Sequence, residues 1–311
     1  RVSSWHRVSW RRVSRHRACW QQVFWRGRVV SCGSSRHKAL LPGRSGKSDR
    51  PSASDIPELE ARITGVRTDT PAIRQYRLVC GSPASSLCPI TWPHILAFPL
   101  HIRIMTDQAF PLPLLGMVHL RNRIDQHRGI GQGETLELVA RLANAADTDR
   151  GIEFDIVTEA LSGGLSVWTE SSTILYRQPV SNGEKKSDTA PEPPRMLSGQ
   201  ATIQAPGNIG FQYGRVSGDM NPIHLHPWSA KAFGFPRAIA HGMWSKARCL
   251  ATLEETEGPL NGASVDVQFK KPFFLPGTAI LTWQRDASDM PLRLLNKDAS
   301  APHLEGSLKR F

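Results

Sequence analysis

The sequence predicts an α+β protein made of two units, each with one helix ahead of an antiparallel sheet. Apolar and polar residues alternate with period 2 in both halves of the chain, a pattern typical of strands with one buried face. An apolar stripe with helical spacing precedes the strands in each half. A segment rich in Pro, Ser and charged residues separates the halves, as expected of a solvated linker.

The N-terminal segment, residues 1–55, differs from the rest of the chain in charge. It contains 13 Lys and Arg residues against Asp49 and Asp55, whereas residues 56–311 contain 26 basic and 25 acidic residues. Of the net charge of +12, +11 therefore belongs to this segment and +1 to the body. For the body, a nucleic-acid partner is not expected.

Segment 1–55 is predicted to be a disordered basic tail, because its apolar residues follow neither a helical nor a strand period. Three interpretations of it remain. Its composition resembles that of a mitochondrial transit peptide. Its arginines, interleaved with tryptophans, could stack on single-stranded nucleic acid. The favoured interpretation is a non-native extension translated from a start site set too early, since four tryptophans without a core suit neither functional model.

The first unit is predicted to span residues 56–179. Alternation over 152–157 predicts a strand, and 165–169 continues as a second strand after a Gly-Gly turn. A helix is predicted from the spacing of Ile95, Phe98, Ile102 and Met105. Pro99 is expected to kink or interrupt it.

The second unit is predicted to span residues 197–311, after a linker at 180–196. Its strands are predicted at 265–270 and 279–283, on either side of a turn. Its helix is predicted from an apolar stripe of Met243, Ala247, Leu250 and Ala251. Cys249 falls within this helix and is expected to be a core residue.

The residues that can carry chemistry lie in the second unit. Asp219 and His224 stand five residues apart across the turn-forming pair Asn221-Pro222, which could aim an acid–base pair into one cleft. Gly242 opens the predicted helix, where free N–H groups suit a developing oxyanion. A carboxylate, an imidazole and an oxyanion hole are the parts needed to add water next to a thioester, or to remove it.

The string S-G-D-x-N-P-x-H at 217–224, followed by A-H-G-M at 240–243, resembles the signature of the MaoC-like dehydratases, or (R)-specific enoyl-CoA hydratases. The segments WPHILAFPLHIRIM and PLPLLGMVHLRNRI resemble the non-catalytic N-terminal domain of two-domain members. The resemblance implies a double hot-dog fold, in which each unit has a central helix wrapped by a curved antiparallel sheet. It assigns catalysis to residues 197–311 and leaves 56–179 as a non-catalytic hot-dog domain.

The resemblance implies a lyase of acyl or fatty-acid metabolism that hydrates 2-enoyl thioesters and dehydrates (R)-3-hydroxyacyl thioesters. Asp219 and His224 would be the catalytic dyad, Asn221 would orient the water and the pair, and the Gly242 N–H would bind the thioester oxygen. Leu250 stands where the single-domain hydratases have a serine, which puts the detail of substrate positioning in doubt. The predicted substrate-binding residues are His241, Met243, Lys270 and Lys271.

Several of these residues have a simpler interpretation. Lys270 and Lys271 could meet the phosphates of coenzyme A, although a solvated strand edge is favoured for them. His226 and His241 do not complete a metal site by their spacing, so no metal is predicted. Three histidines of the first unit are expected to pack or hydrogen-bond: His94, His101 and His119.

No cofactor is predicted beyond the pantetheine arm of a coenzyme A or acyl-carrier-protein substrate. Five cysteines without a C-x-x-C pair argue against a disulfide scaffold and a structural zinc site. The expected location is cytoplasmic, or the mitochondrial matrix if the tail is a transit peptide. No membrane span is expected, and a homodimer of double hot dogs is the expected assembly.

Two alternatives remain at this stage. A hot-dog acyl thioesterase would carry its carboxylate on the central helix, where Glu254 and Glu255 stand near the predicted end. A non-catalytic thioester-binding protein would keep the fold without turnover. The sequence leaves open the acyl chain length, the choice between coenzyme A and a carrier protein, and the direction of the reaction.

Overall fold

The structure, a computed structural model, describes residues 29–34, 50–114, 116–178, 196–285 and 289–311. Before and within the first half it contains strands β1 (Val29–Ser34) and β2 (Leu59–Arg67), helices α1 (Pro71–Cys80) and α2 (Trp92–Met105), and strands β3 (Met117–Gln126), β4 (Thr135–Thr148), β5 (Gly151–Ser162) and β6 (Leu165–Arg177). A short 3-10 turn covers Ala53–Asp55.

The second half repeats this plan with more helices. It contains β7 (Gly199–Ala205), helices α3 (Ile209–Ser217), α4 (Pro222–Leu225), α5 (Pro227–Ala232) and α6 (Gly242–Glu257), and strands β8 (Ala263–Phe269), β9 (Gly277–Trp283), β10 (Asp289–Asn296) and β11 (Pro302–Arg310). The predicted α+β class is therefore confirmed, and each half has the helix-and-sheet arrangement expected of a hot-dog unit.

All described strands form one sheet, in the order β1-β2-β4-β5-β6-β3-β8-β11-β10-β9-β7. The first half contributes the order 2-4-5-6-3, and the second half contributes 7-9-10-11-8, which is the same topology. The halves join where β3 pairs antiparallel with β8, from Arg121 opposite Gln268 to Gln126 opposite Ala263. One continuous hydrophobic core lies beneath both halves, so they form a single packed body.

A short sequence repeat accompanies this duplication and escaped the sequence analysis. Helix α1 ends in Y-R-L-V-C-G at 76–81, and α3 ends in Y-G-R-V-S-G at 213–218. Both glycines end their helix in the left-handed conformation, with φ of 69° and 83°, which glycine adopts without steric cost. The rings of Tyr76 and Tyr213 meet across the two halves, with centroids 6.2 Å apart. The residue after the glycine is Ser82 in the first half and Asp219 in the second.

The N-terminal segment 1–55 differs from its prediction in two places. Ala53–Asp55 form a 3-10 turn whose Ala53 N–H donates to Asp147 Oδ1 at 3.0 Å. Val29–Ser34 form strand β1, which pairs antiparallel with β2, so these six residues are not disordered as predicted. The edge of β2 offers unpaired backbone groups, and an added strand satisfies them. The rest of segment 1–49 and residues 179–195, which hold most of the predicted linker, lie outside the described residues.

Both predicted helices are present. Helix α2 continues through Pro99, so this proline does not interrupt it; the Pro99 ring lies on the exposed side of the helix. Helix α6 is buried on almost every side, and Cys249 is a core residue as predicted. Burial raises the pKa of its thiol to about 12. No helix among the described residues is long and apolar enough to cross a membrane.

Candidate active site

The candidate site is built on the loop that follows α3. Gly218 ends the helix in the left-handed region, and the chain turns there to place Asp219 in the loop. The Asn221 side chain then accepts a hydrogen bond from the N–H of Ile223 at 3.3 Å and so caps the short helix α4. This helix carries His224, so the turn-forming residues bring the two predicted catalytic side chains to one place.

The His224 side chain is held in one orientation. Its Nδ1 lies 2.8 Å from the carbonyl oxygen of Ile239, and donation to that oxygen leaves Nε2 unprotonated and able to accept a proton. Burial, with the neighbouring His241 as a second cause, lowers the pKa of His224 to about 3. The imidazole is therefore neutral at physiological pH.

His241 lies against both members of the pair and is itself only 2% exposed. Its ring stacks on that of His224, with centroids 3.7 Å apart and planes 29° apart. Its Nε2 donates to the main-chain oxygen of Asp219 at 3.0 Å. Burial lowers the pKa of His241, so this ring is also neutral. It is placed to hold the pair in position.

The Asp219 carboxylate completes the cluster. One of its oxygens and one ring nitrogen from each of His224 and His241 lie within 4.8 Å of one another. Burial raises the pKa of Asp219. At the low pH where this carboxyl titrates, proton uptake by His241 and His224, together with the N–H of Asn221, favours the ionised form, and the resulting pKa lies below the ordinary value. The site therefore presents an ionised carboxylate beside a neutral imidazole.

Gly242 is the first residue of α6, directly after His241. The first N–H groups of a helix have no acceptor within the helix, and no side chain among the described residues caps this terminus. A Cβ built on Gly242 would lie 3.0 Å from two ring carbons of Phe269. Glycine therefore keeps room for a group to approach the backbone at the positive end of the helix dipole.

The predicted substrate-binding residues occupy different environments. Met243 is buried at the start of α6. Lys270 is paired, since its Nζ lies 2.8 Å from Gln268 Oε1 and 3.7 Å from Glu305 Oε2. Lys271 is exposed. Lys270 and Lys271 are solvated, as the favoured interpretation expected, but they follow β8, which is a central strand between β3 and β11 and not an edge. Contact with substrate remains a prediction for Met243, Lys270 and Lys271.

Two clusters have ligand types that could hold a metal: Asp219, His224 and His241, and a fully buried group of His94, His101 and Glu170. No carboxylate partner was expected for His226 and His241, and for His241 that expectation was wrong, because the loop brings Asp219 to it. However, the imidazoles of His224 and His241 each already use one ring nitrogen in a hydrogen bond to a main-chain oxygen, and the two rings are stacked. This geometry favours proton transfer over metal binding.

A buried polar network beside the site was missed in the sequence. The Lys246 side chain on α6 is 1% exposed; its Nζ donates to the main-chain oxygens of Asn122 and Val265, at 3.0 and 3.1 Å, and to Asn122 Oδ1 at 2.5 Å. Asn122 Nδ2 donates to Glu170 at 2.6 Å. One signal was available: Lys246 lies three residues after Met243, on the predicted buried stripe.

The first-half histidines pack or hydrogen-bond, as predicted. His94 Nδ1 lies 2.8 Å from Glu170 Oε1, an acid partner contributed by β6 and distant in sequence. His101 Nε2 lies 2.7 Å from the Thr158 hydroxyl. The His119 ring packs on Phe269. Burial lowers the pKa of His101 to about 3 and that of His119 to about 4.

Because these buried histidines are neutral, we expect the free energy of unfolding to decrease as the pH is lowered. His101, His119 and His224 have folded pKa values of about 3 to 4, against about 6.5 in the unfolded chain. As pH falls below 6.5, the unfolded state binds protons that the folded state does not, and each histidine costs about 2 kcal/mol of unfolding free energy between pH 8 and pH 5. Urea unfolding at both pH values measures this loss.

A variant provides the control for this pH dependence. His119→Phe removes one titrating group and keeps a ring against Phe269, so its unfolding free energy should fall less steeply with pH than that of the unmodified protein. An unfolding free energy that stays constant from pH 8 to pH 5 would contradict the assignment of neutral buried histidines.

Comparison with known proteins places this geometry in context. The family model described as a MaoC like domain matches residues 190–289, which include the whole candidate site. The chain is 30% identical over 260 residues to 3-hydroxyacyl-thioester dehydratase X of Mycobacterium tuberculosis, covering 83% of this chain and 92% of that protein. It is 28% identical over 156 residues to the enoyl-CoA hydratase ChsH3 of the same organism, covering 48% of this chain and 54% of that protein.

Comparison of the fold with solved structures finds relatives of the same kind. The crystal structure of HtdX from Mycobacterium tuberculosis matches with a TM-score of 0.70 at 29% identity, over 81% of this chain and 100% of that one. A MaoC-like dehydratase from Phytophthora capsici matches with a TM-score of 0.67 at 18% identity, over 82% and 95% of the two chains. At that identity the second match shows the fold alone.

Proposed function

The chain belongs to the MaoC-like dehydratase family, and from this premise we propose that it hydrates 2-enoyl thioesters and dehydrates (R)-3-hydroxyacyl thioesters at Asp219 and His224. As a member of the family it is a hydro-lyase of acyl metabolism. The observation that carries the proposal is the meeting of an ionised carboxylate and a neutral imidazole beside a free helix N-terminus.

The proposed reaction uses both basic groups in their resting states. In the hydration direction, a water oxygen adds to C3 of the enoyl group while the dyad accepts one proton of that water, at the Asp219 carboxylate or His224 Nε2. The C2–C3 double bond becomes single, and the dyad returns a proton to C2 on the same face. At the end of the reaction Asp219 and His224 are back in their initial protonation states. Dehydration follows the reverse path.

The developing enolate oxygen would be bound by the N–H of Gly242. This donor is fixed by the helix, and the helix dipole adds positive potential at that point, so it stabilises negative charge without reorganising during the reaction. The thioester carbonyl would therefore lie against α6, with C2 and C3 toward the loop that carries the dyad.

Asn221 and His241 are proposed to be positioning residues. The Asn221 N–H donates to the Asp219 carboxylate at 3.2 Å, and its side chain caps the helix that carries His224. His241 joins the Asp219 main chain to the His224 ring by one hydrogen bond and one stacked contact. We therefore assign His241 to holding the dyad, in place of the substrate contact expected from the sequence.

The test is an assay of hydration. Loss of the ultraviolet absorbance of the enoyl thioester would be followed with crotonyl-CoA and a longer enoyl-CoA, and the product would be analysed on a chiral column. Hydration that yields the (R)-3-hydroxyacyl product supports the proposal. An (S) product would overturn the stereochemistry, and release of free thiol without hydration would indicate a thioesterase.

Gly242→Ala should lower kcat/KM by about tenfold to a hundredfold, because the added methyl group would press on the Phe269 ring and displace the oxyanion donor. Gly207→Ala provides the matched control, since its Cβ would meet only Pro276 at 3.7 Å. Steady-state kinetics of both variants with one enoyl-CoA measures the difference. Equal activity in the two would remove Gly242 from the proposed mechanism.

The absence of a metal requirement is a further prediction. Dialysis against EDTA should leave kcat unchanged within twofold, because the proposed steps are proton transfers between protein groups and water. Adding zinc or magnesium back should have no effect. A loss of activity that a divalent ion restores would instead assign a metal to one of the two histidine clusters.

The thioesterase alternative is weakened by distance. Glu254 stands twelve residues after Gly242 on the same helix, which places the two about 18 Å apart along the axis. Glu254 is therefore too far from the dyad and the helix N-terminus to act in the same site. Burial raises its pKa, and the carboxylate near the helix N-terminus is that of Asp219.

A further inference from the structure

The charged side chains around the catalytic loop are nearly all basic. Within residues 206–241, the charged residues besides Asp219 are Arg215, Lys231 and Arg237, all of them basic. In the described part of the chain, none of these three has a carboxylate within ion-pairing distance. Many arginines elsewhere have acidic partners, among them Arg62, Arg67, Arg123, Arg128 and Arg150.

Each of the three cations lies over an aromatic ring. Arg215 lies 5.9 Å from the centroid of Phe211, and Lys231 lies 5.2 Å from that of Trp228. Arg237 lies 5.5 Å from the centroid of Phe274. The Trp228 and Phe211 side chains are 76% and 45% exposed, a large exposure for side chains of this size. We call Phe211, Arg215, Trp228, Lys231 and Arg237 the rim surface.

The rim surface adjoins the proposed site through short connections. Arg215 stands four residues before Asp219, at the end of α3. Trp228 stands four residues after His224, and the Ser229 hydroxyl of the same helix donates to the Pro222 carbonyl at 2.6 Å. The Ile239 N–H donates to the Ile223 carbonyl at 3.2 Å, which joins the segment after Arg237 to helix α4. A partner bound on this surface would lie next to the dyad.

We propose that the rim surface binds an acidic acyl-carrier protein that delivers the enoyl thioester to the site. The inference rests on the proposed function and names its carrier. Unpaired cations spread over α3, α5 and the following loop suit an extended acidic helix surface, and exposed Trp, Phe and Arg side chains are typical anchors of protein interfaces. A nucleotide is usually held instead by groups that converge in a concave pocket.

The experiment compares one enoyl group on three carriers: pantetheine, coenzyme A and an acidic acyl-carrier protein. Lys231→Glu and Trp228→Ala should each lower kcat/KM for the carrier-protein substrate by about tenfold or more. The pantetheine substrate should keep its kcat/KM within twofold, because it does not reach the surface. Arg177→Glu, an exposed charge reversal at the end of β6 in the first half, is the control and should change none of the three values.

A loss that is equally large with coenzyme A would show that the surface binds nucleotide phosphates, and it would overturn the proposal. Unchanged kinetics with the carrier protein would also overturn it. If the unmodified protein does not turn over even the pantetheine substrate, the proposed function itself has failed. Calorimetric titration with the carrier protein bearing its pantetheine arm then tests the surface separately: binding weakened by Lys231→Glu supports it, and no binding overturns it.

Discussion

Asp219→Asn should lower kcat for hydration by about 10³-fold, and His224→Ala should cause a loss of the same order. Asparagine keeps the shape of the aspartate but cannot accept a proton, and alanine removes the only basic nitrogen that His224 leaves free after bonding to Ile239. Single-turnover measurement of the absorbance loss, with enoyl-CoA in the site, isolates this chemical step from substrate binding.

The double variant Asp219→Asn/His224→Ala tests whether the two groups act together. Because the two groups act on the same water, removing both should cost little more than removing one. His226→Ala is the matched control: this histidine lies in the same segment but is exposed, and it caps α5 through the N–H of Trp228. Activity of Asp219→Asn within tenfold of the unmodified protein would show that the carboxylate does not transfer a proton.

Lys246→Met should lower the free energy of unfolding by about 3–5 kcal/mol. The buried Lys246 side chain donates to two oxygen atoms of Asn122 in the first half and to the main-chain oxygen of Val265 in the second half. Burial lowers the pKa of Lys246 to about 7, although the nearby Glu170 carboxylate raises it. Removing Lys246 takes its donor away from those three oxygens and removes positive charge near the buried Glu170 carboxylate. Urea unfolding at pH 7 measures the difference.

Two further variants separate this interpretation from simple loss of packing. Lys270→Met removes an exposed lysine paired with Glu305 and should cost less than about 1 kcal/mol. Adding Glu170→Gln to Lys246→Met should recover part of the lost stability, since the neutral amide no longer needs a cation. A double variant that is less stable than the sum of the two single changes would contradict the proposed coupling of charges.

The elements of this fold were predictable because their periods are local. Alternation at 152–157 and 265–270 predicted strands, and the stripe from Met243 to Ala251 predicted α6. Pro99 was expected to kink or interrupt α2, and the interruption did not occur, because the packing of the helix against the core keeps it helical on both sides of the proline. The strand at Val29–Ser34 depends on the open edge of β2, which no property of the six residues themselves reveals.

The residues of the site also differ in how far the sequence could predict them. Asp219, His224 and Gly242 stand in one continuous segment, so their spacing could be interpreted. The stacking of His241 on His224 depends on how the chain returns from α5 to α6, and the Lys246 network joins residues more than 120 positions apart in the chain. Contacts between residues distant in sequence produce no periodic pattern in the sequence. A single lysine on an apolar helix stripe nevertheless indicates that the fold must supply a buried polar partner.

The joining of β3 to β8 has a consequence for how this site behaves on dilution. Where two identical subunits are joined by such a strand pair, the subunits dissociate as protein concentration falls, and the contacts across their interface are lost. Here the interface between β3 and β8 lies within one chain, so contacts across it, such as that of Lys246 with Asn122, form at a fixed effective concentration. The two halves are also free to differ, so that a serine can stand in one half where an aspartate stands in the other.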